Sequence, residues 1–352
     1  MTLLDEIREQ PDAAARFLDR QLPRLPAIAA AARRHAPKLV LIAARGSSDH
    51  AAIYAQYVLG IRNGLPVALA APSMFSLFAA PPRLADALVI GISQSGQSPD
   101  IVAVLEEAKR QGAPSIAITN TEGSPLADAA DHVLLLGAGE ERAVAATKTY
   151  TTELLAIAAL SASLVRAATM PSSMHVQAEA ELRAVPAAIA VALQTEDAAR
   201  DRAGRLAWNE PRAIVLGRGF EYGTAREIAL KLQELAQVLA HAWSSSDFEH
   251  GPLALLEPGF PVIAIVSDDV AGAALVPLLH RLRDEHGADL VVLSRRADTA
   301  AFDPLPLPAG APAWLAPISS IVPGQLLAYH LARARGLDTE HPRAIAKVTR
   351  TR

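Results

Sequence analysis

The sequence predicts an α/β protein made of two repeated halves, each a parallel sheet flanked by helices. Three observations carry that reading. Apolar, β-branched and leucine-rich runs such as KLVLIAA, ALVIGI, RAIVLG and PVIAIV are continuous instead of alternating, as strands buried on both faces are. Helical patterns stand between them, so the strands are joined by crossovers long enough for parallel pairing. The halves also repeat. Arg45-Gly46 aligns with Arg218-Gly219 at an offset of 173, and Ser93 aligns with Ser267 at an offset of 174. Two offsets that agree within one residue mark a duplicated unit.

In chain order, residues 1–36 read as an N-terminal helical segment closed by Pro37. Residues 37–168 form the first α/β domain, 169–206 a helical link and 207–336 the second α/β domain. Within the second domain, Asp303 to Pro317 holds five prolines and is expected to be an extended connection. The run GQLLAYHLARARGL is expected to form a last helix from Gly324, ending at Gly336. Residues 337–352 show no periodicity and read as a tail.

Composition bounds the function. With 352 residues and 51% hydrophobic content, the chain has enough apolar material for two cores and too much for a disordered state. Lys and Arg number 33 against 37 Asp and Glu, a formal net charge of -4, where a nucleic-acid binder would show a basic excess. There is no cysteine, which excludes disulfides, thiolate metal sites and thiol nucleophiles and fits a reducing compartment. The opening MTLLDEIREQP lacks an apolar core, so no signal peptide is expected. The uncharged run from Leu154 to Val165 falls short of the roughly 20 residues that span a bilayer. A cytoplasmic protein with neither membrane nor nucleic-acid partner is the expectation.

Ligands of parallel sheets bind beyond the carboxyl ends of the strands, where the Gly- and Ser-bearing loops lie. The most informative loop is Ser93-Gln94-Ser95-Gly96-Gln97-Ser98-Pro99, between ALVIGI and the helical PDIVAVLEEAKRQG. Ser98 suits an N-cap and Pro99 a first helical position. Hydroxyls and free backbone N–H groups at a helix start make an anion site fit for a phosphate monoester. No lysine closes the loop, so it is not a nucleotide P-loop. A capped helix after a polar turn explains the same residues equally well. Ser47 and Ser48 after the first strand, and Thr147 to Thr152 at another helix start, are further hydroxyl donors or simple caps. The second half does not copy the loop: Ser267-Asp268-Asp269 is acidic and would repel phosphate.

The second half offers titratable groups instead. Glu227, Lys231 and Glu234 fall at i, i+4 and i+7 and share one helical face. Ile228, Leu232, Leu235 and Leu239 are expected to form the apolar stripe beside it. Read alone, the charged face is a solvated ion-pair row worth tenths of a kcal/mol. His250 stands in the polar loop SSSDFEHGPLALL, where a histidine is either structural or a proton carrier. Lys347 sits in the tail among Arg343, Arg350 and Arg352, which by composition is a frayed basic end.

Together, ARGSSDHAA, ISQSGQSPD, ATKTYTTELL, GRGFEYGTAREIALKLQE, FEHGPLALL and AYHLARARGLDTEHPRAIAKVTRT resemble the sugar isomerase (SIS) family. They are most similar to the isomerase half of glutamine–fructose-6-phosphate aminotransferase and to stand-alone glucosamine-6-phosphate deaminases of SIS type. The resemblance covers nearly the whole chain. It implies two tandem SIS domains, each a flavodoxin-like three-layer α/β/α unit. It assigns Ser47, Ser48, Ser93, Gln94, Ser95 and Ser98 to the sugar phosphate and Glu234 to general-base proton transfer between C1 and C2. Glu227 and Lys231 become its supporting pair. His250 assists ring opening, reaching in from the neighbouring subunit of a homodimer, and Lys347 forms an imine with the ketose carbonyl. No cofactor or metal is implied.

The expected reaction opens glucosamine 6-phosphate, moves the C2 proton to C1 through an enolamine, and hydrolyses the resulting imine to fructose 6-phosphate and ammonia. Two departures favour deamination over glutamine-dependent synthesis. No segment of these residues is expected to form a glutaminase domain with a cysteine nucleophile, and Gln97 stands where the synthase typically has Glu. The alternatives are an ammonia-dependent synthase, an enzyme of a related amino-sugar phosphate, and, in another class, a non-catalytic sugar-phosphate sensor. A sensor of this family would bring a DNA-binding domain, for which the first 36 residues are too few and too weakly charged.

Overall fold

A computed structural model describes residues 2–165, 172–206 and 210–347. It contains two all-parallel sheets flanked by helices, as the continuous apolar runs predict. The helices before the first sheet are α1 (Leu3–Arg8), α2 (Gln10–Gln21) and α3 (Leu25–Arg34). The first half continues with β1 (Leu39–Ala43), α4 (Ser47–Asn63), β2 (Val67–Leu69), α5 (Ser73–Ser76), β3 (Ala87–Ile92), α6 (Pro99–Gln111), β4 (Ser115–Thr119), α7 (Pro125–Ala129), β5 (His132–Leu135) and α8 (Lys148–Leu164). Next come α9 (Ser172–Leu193) and α10 (Glu196–Leu206). The second half holds β6 (Arg212–Gly217), α11 (Glu221–Ala236), β7 (Leu239–Ser244), α12 (Ser245–Glu249), β8 (Pro261–Val266), α13 (Val270–Asp284), β9 (Asp289–Ser294) and α14 (Ala316–Ala334).

By its contacts the chain divides into two compact units. One takes 12–141, 148–183 and the tail from 346; the other takes the segment before 12, 142–147 and 184–345. The first-half unit holds a sheet of order β2-β1-β3-β4-β5, and the second-half unit one of order β7-β6-β8-β9. Both orders reverse direction beside the first strand of the half, between β1 and β3 and between β6 and β8. Such a reversal opens the crevice in which doubly wound sheets bind ligands.

Each core follows from the strand composition. Residues of β3 and β8 are buried throughout, and Val89, Ala117, Leu105 and Leu126 pack together on one side of the first sheet. Leu216, Val262, Leu275 and Leu279 do the same in the second. Helix α8 is buried along nearly its whole length, which explains why the run from Leu154 to Leu160 is apolar on every face.

Two expectations needed correction. Leu239 does not extend the apolar stripe of α11: the helix stops at Ala236, Gln237 turns left-handed, and Leu239 opens β7 with 78% of its surface exposed. Ile228, Leu232 and Leu235 do form the stripe. The last helix starts at Ala316, not at Gly324, and carries Pro323 inside it. An internal proline costs a helix about 3 kcal/mol. Here the residues from Pro317 to Ala328 are all buried, so packing offsets that cost. Gly324 lies against α11, where a Cβ would meet Ile228 at 2.4 Å.

Candidate functional site

In the first-half unit, β1 and β3 are hydrogen-bonded neighbours, so the loops that leave their carboxyl ends flank the reversal of the sheet. Ser93 follows β3 and is almost buried. Its hydroxyl accepts from the Gly96 amide at 3.2 Å, which folds the loop back on itself. Gly96 has φ +62, and a Cβ there would meet the Ser124 hydroxyl at 2.2 Å. Glycine is therefore required on both backbone and contact grounds. The Gln94 carbonyl accepts from the Asn120 amide at 3.0 Å, and the Gly96 carbonyl from the Leu126 amide at 3.1 Å. The loop is thus pinned to the elements after β4.

Ser98 and Pro99 occupy the N-cap and first helical positions of α6, as their chemistry predicts. The Ser98 side chain makes no capping hydrogen bond. The second-half unit differs at its equivalent turn. There Asp269 accepts from the amides of Ala271 and Gly272, both at 2.9 Å, and from Ser267 Oγ at 2.6 Å. A carboxylate of the protein itself fills that helix start, which leaves no place for an anion.

Ser47 and Ser48 open α4, with Gly46 as its N-cap. The Ser48 hydroxyl donates to Glu153 at 2.9 Å, and both residues are buried. Beside them Arg45 pairs with the buried Asp100 at 2.9 Å, so a cation leans on the first turn of α6. Of the threonines at the start of α8, Thr152 donates its hydroxyl to the Lys148 carbonyl at 2.7 Å and Thr149 gives its own to Glu141 at 2.7 Å. Neither is an open hydroxyl.

Lys347 belongs to this unit as well. Its ammonium lies 2.6 Å from Glu141 Oε2, and the Glu141 side chain has no exposure at all. The Thr149 amide donates to the other carboxylate oxygen at 3.1 Å. Sequence reasoning named neither Glu141 nor Glu153. Glu153 carried a signal: it is the one acidic residue in α8, just before the apolar run that starts at Leu154, and charge is rarely buried without a task. Glu141 carried none, because no helical or strand period links it to Lys347 or Thr149.

In the second-half unit, α11 carries the other set. Lys231 Nζ sits 3.2 Å from Glu227 Oε1 and 2.5 Å from Glu234 Oε2. Side-chain exposure is zero for Lys231 and Glu227 and 22% for Glu234. This is not a solvated row. Burial alone would push the Lys231 ammonium down, but the two carboxylates outweigh it and hold the lysine above its usual range. Lys231 is therefore a fixed cation, and of its two carboxylates Glu234 is the one that reaches solvent. His250 is the exposed C-cap of α12, its amide bonded to the Asp247 carbonyl at 3.1 Å.

Ser47, Ser48, Ser93, Gln94, Ser95, Ser98 and Lys347 thus fall in one unit, and Glu227, Lys231, Glu234 and His250 in the other. A surface cavity of about 530 Å³ between Pro23, Arg33, Ser163 and Leu182 contains none of them. It is walled mainly by aliphatic side chains.

The family model for the SIS domain matches residues 34–163 and again 207–334. A glutamine–fructose-6-phosphate aminotransferase (isomerizing) from Pyrococcus horikoshii is 34% identical over 352 residues, covering 98% of this chain and 57% of that protein. The same enzyme from Legionella pneumophila is 36% identical over 317 residues, 88% of this chain and 50% of its own. The chain therefore spans about half the length of the curated relatives it matches. Among solved structures, the C-terminal domain of glucosamine-fructose-6-phosphate aminotransferase from Francisella tularensis superposes with a TM-score of 0.87 at 28% identity, over 96% of this chain and 97% of that one.

Proposed function

The chain belongs to the SIS domain family, with two copies of the domain, and from that premise we propose that it is an amino-sugar phosphate isomerase working as a deaminase. The observation that carries the reading is the α11 triad, in which a partly open Glu234 is held by a buried lysine that is itself neutralised by a buried glutamate. Burying three charges is costly. A fold gains little stability from such a set, whereas a positioned carboxylate that must exchange a carbon-bound proton needs this kind of support.

In the proposed reaction the Ser93–Ser98 loop and the start of α4 at Ser47 and Ser48 bind the phosphate of glucosamine 6-phosphate. His250, supplied by the second protomer of a homodimer, carries the proton that opens the ring. Glu234 removes the C2 proton to form the enolamine and returns it to C1. The C2 imine that results takes up water and releases ammonia, which leaves fructose 6-phosphate. Lys347 holds the ketose through an imine of its own. Similarity to the aminotransferases favours a second reading, in which the same residues run the sequence backward from fructose 6-phosphate and free ammonia.

The test is to incubate the purified protein with glucosamine 6-phosphate and follow ammonia and fructose 6-phosphate together. Equal release of both supports the deaminase. Formation of glucosamine 6-phosphate from fructose 6-phosphate and ammonium, without measurable reverse flux, would favour the synthase. Binding without either conversion would leave a sugar-phosphate sensor.

A further inference from the structure

We propose that Glu141 is the residue that positions Lys347 and takes its first proton; this rests on the proposed role of Lys347 as the imine-forming lysine. Three observations lead to it. The Glu141 side chain is fully enclosed, and Lys347 Nζ lies 2.6 Å from its Oε2. That carboxylate is oriented by a second element, since the amide and hydroxyl of Thr149 donate to its two oxygens at 3.1 and 2.7 Å. The described residues of the tail, 337–347, form neither helix nor strand to place the amine, so the pair with Glu141 supplies what secondary structure does not.

An ammonium has no lone pair and cannot attack a carbonyl. In the proposed step one Nζ proton passes to Glu141 Oε2, and the neutral amine adds to C2 of the open-chain ketose. The C2 oxygen becomes a hydroxyl by taking a second proton from nitrogen. It then leaves as water with the proton that Glu141 had accepted, and the nitrogen lone pair closes the C=N bond. The products are a protonated imine, carrying the one hydrogen left on Nζ, and one water. Glu141 is again a carboxylate. Its geometry suits the task, because a charged acceptor at hydrogen-bond distance both fixes the amine and accepts its proton.

The test uses the full-length protein with fructose 6-phosphate, borohydride trapping at Lys347 read by peptide mass, and the dissociation constant of the ligand. Glu141→Gln keeps the shape and should slow trapping by about tenfold or more while the dissociation constant stays within about twofold. Glu141→Asp should restore part of the rate. Thr149→Val leaves the carboxylate in place and loosens it, and should slow trapping by a few-fold. It serves as the decisive variant if Glu141→Gln fails to fold. Trapping at the wild-type rate in Glu141→Gln, or in Thr149→Val when that is the only folded variant, overturns the role of Glu141 and leaves that of Lys347 intact. A wild-type protein that binds fructose 6-phosphate and is not trapped at Lys347 overturns both.

Discussion

At the scale of single residues, the α11 triad shows how environment divides labour among like groups. Glu227 and Glu234 are both glutamates within bonding distance of Lys231, yet one is sealed and the other has 22% of its side chain open. The sealed one balances the lysine out of reach of solvent; the open one can meet a substrate. Glu234→Gln preserves shape and an acceptor for Lys231, so fructose 6-phosphate binding should hold within about twofold while turnover falls by about 10²–10⁴-fold. Parallel calorimetry and ammonia assays check this, and a variant that turns over normally would remove Glu234 as the base. The charged face was legible from spacing alone, because i, i+4 and i+7 must share a side of any helix. Its burial was not, since a charge pattern on a helix does not reveal what covers it.

At the scale of elements, the turn between β3 and α6 depends on one glycine. Gly96→Ala places a side chain at φ +62 and drives its Cβ into Ser124, the N-cap of α7. A left-handed conformation and a displaced neighbour together cost about 2–3 kcal/mol. We expect urea unfolding to show that loss, with sugar-phosphate affinity reduced by about tenfold as the loop shifts. Unchanged affinity in the folded variant would detach the loop from the phosphate. The turn was readable in sequence because hydroxyls, a glycine and a Ser-Pro pair each have a local preference that agrees with the rest. The ends of α11 and α14 were misread for the opposite reason. Leu239 fits a helical stripe by type, and Pro323 speaks against a helix by propensity. In each case a tertiary constraint, a left-handed cap or all-round burial, overrode the local signal.

At the scale of the whole molecule, the duplicated sheets have diverged in what lies beside their reversals. In the second-half unit Glu221 is fully buried and accepts from Thr224 and Ser320 at 2.6 and 2.8 Å. It borders a cavity of about 130 Å³ that Ser267, Arg295 and Ser319 also line. Burial raises its carboxyl to about 7 from an ordinary 4.5, against the opposing effect of the two hydroxyls. A raised folded pKa means that the native state holds a proton the unfolded chain has already released. This contribution is complete below pH 4.5 and is lost as the pH rises to about 7, a fall of about 3 kcal/mol. Urea midpoints measured from pH 4 to 8 should therefore decline more steeply for the wild type than for Glu221→Gln. Parallel profiles would mean that Glu221 does not govern the decline.

The sequence by itself determined the α/β class, the duplication, the polar turn from Ser93 to Ser98 and the helix that bears Glu234. Each of these is written in local period, turn chemistry or a constant offset, and such signals survive without knowledge of distant neighbours. Only the tertiary structure decided that the α11 charges are enclosed, that the leading helix α1 and residues 142–147 group with the second-half unit, and that Lys347 meets Glu141 across 206 positions of chain. A carboxylate and an amine that far apart share no period and no propensity. What joins them is the desolvation of Glu141, which makes a cationic partner necessary and is a property of the folded interior alone.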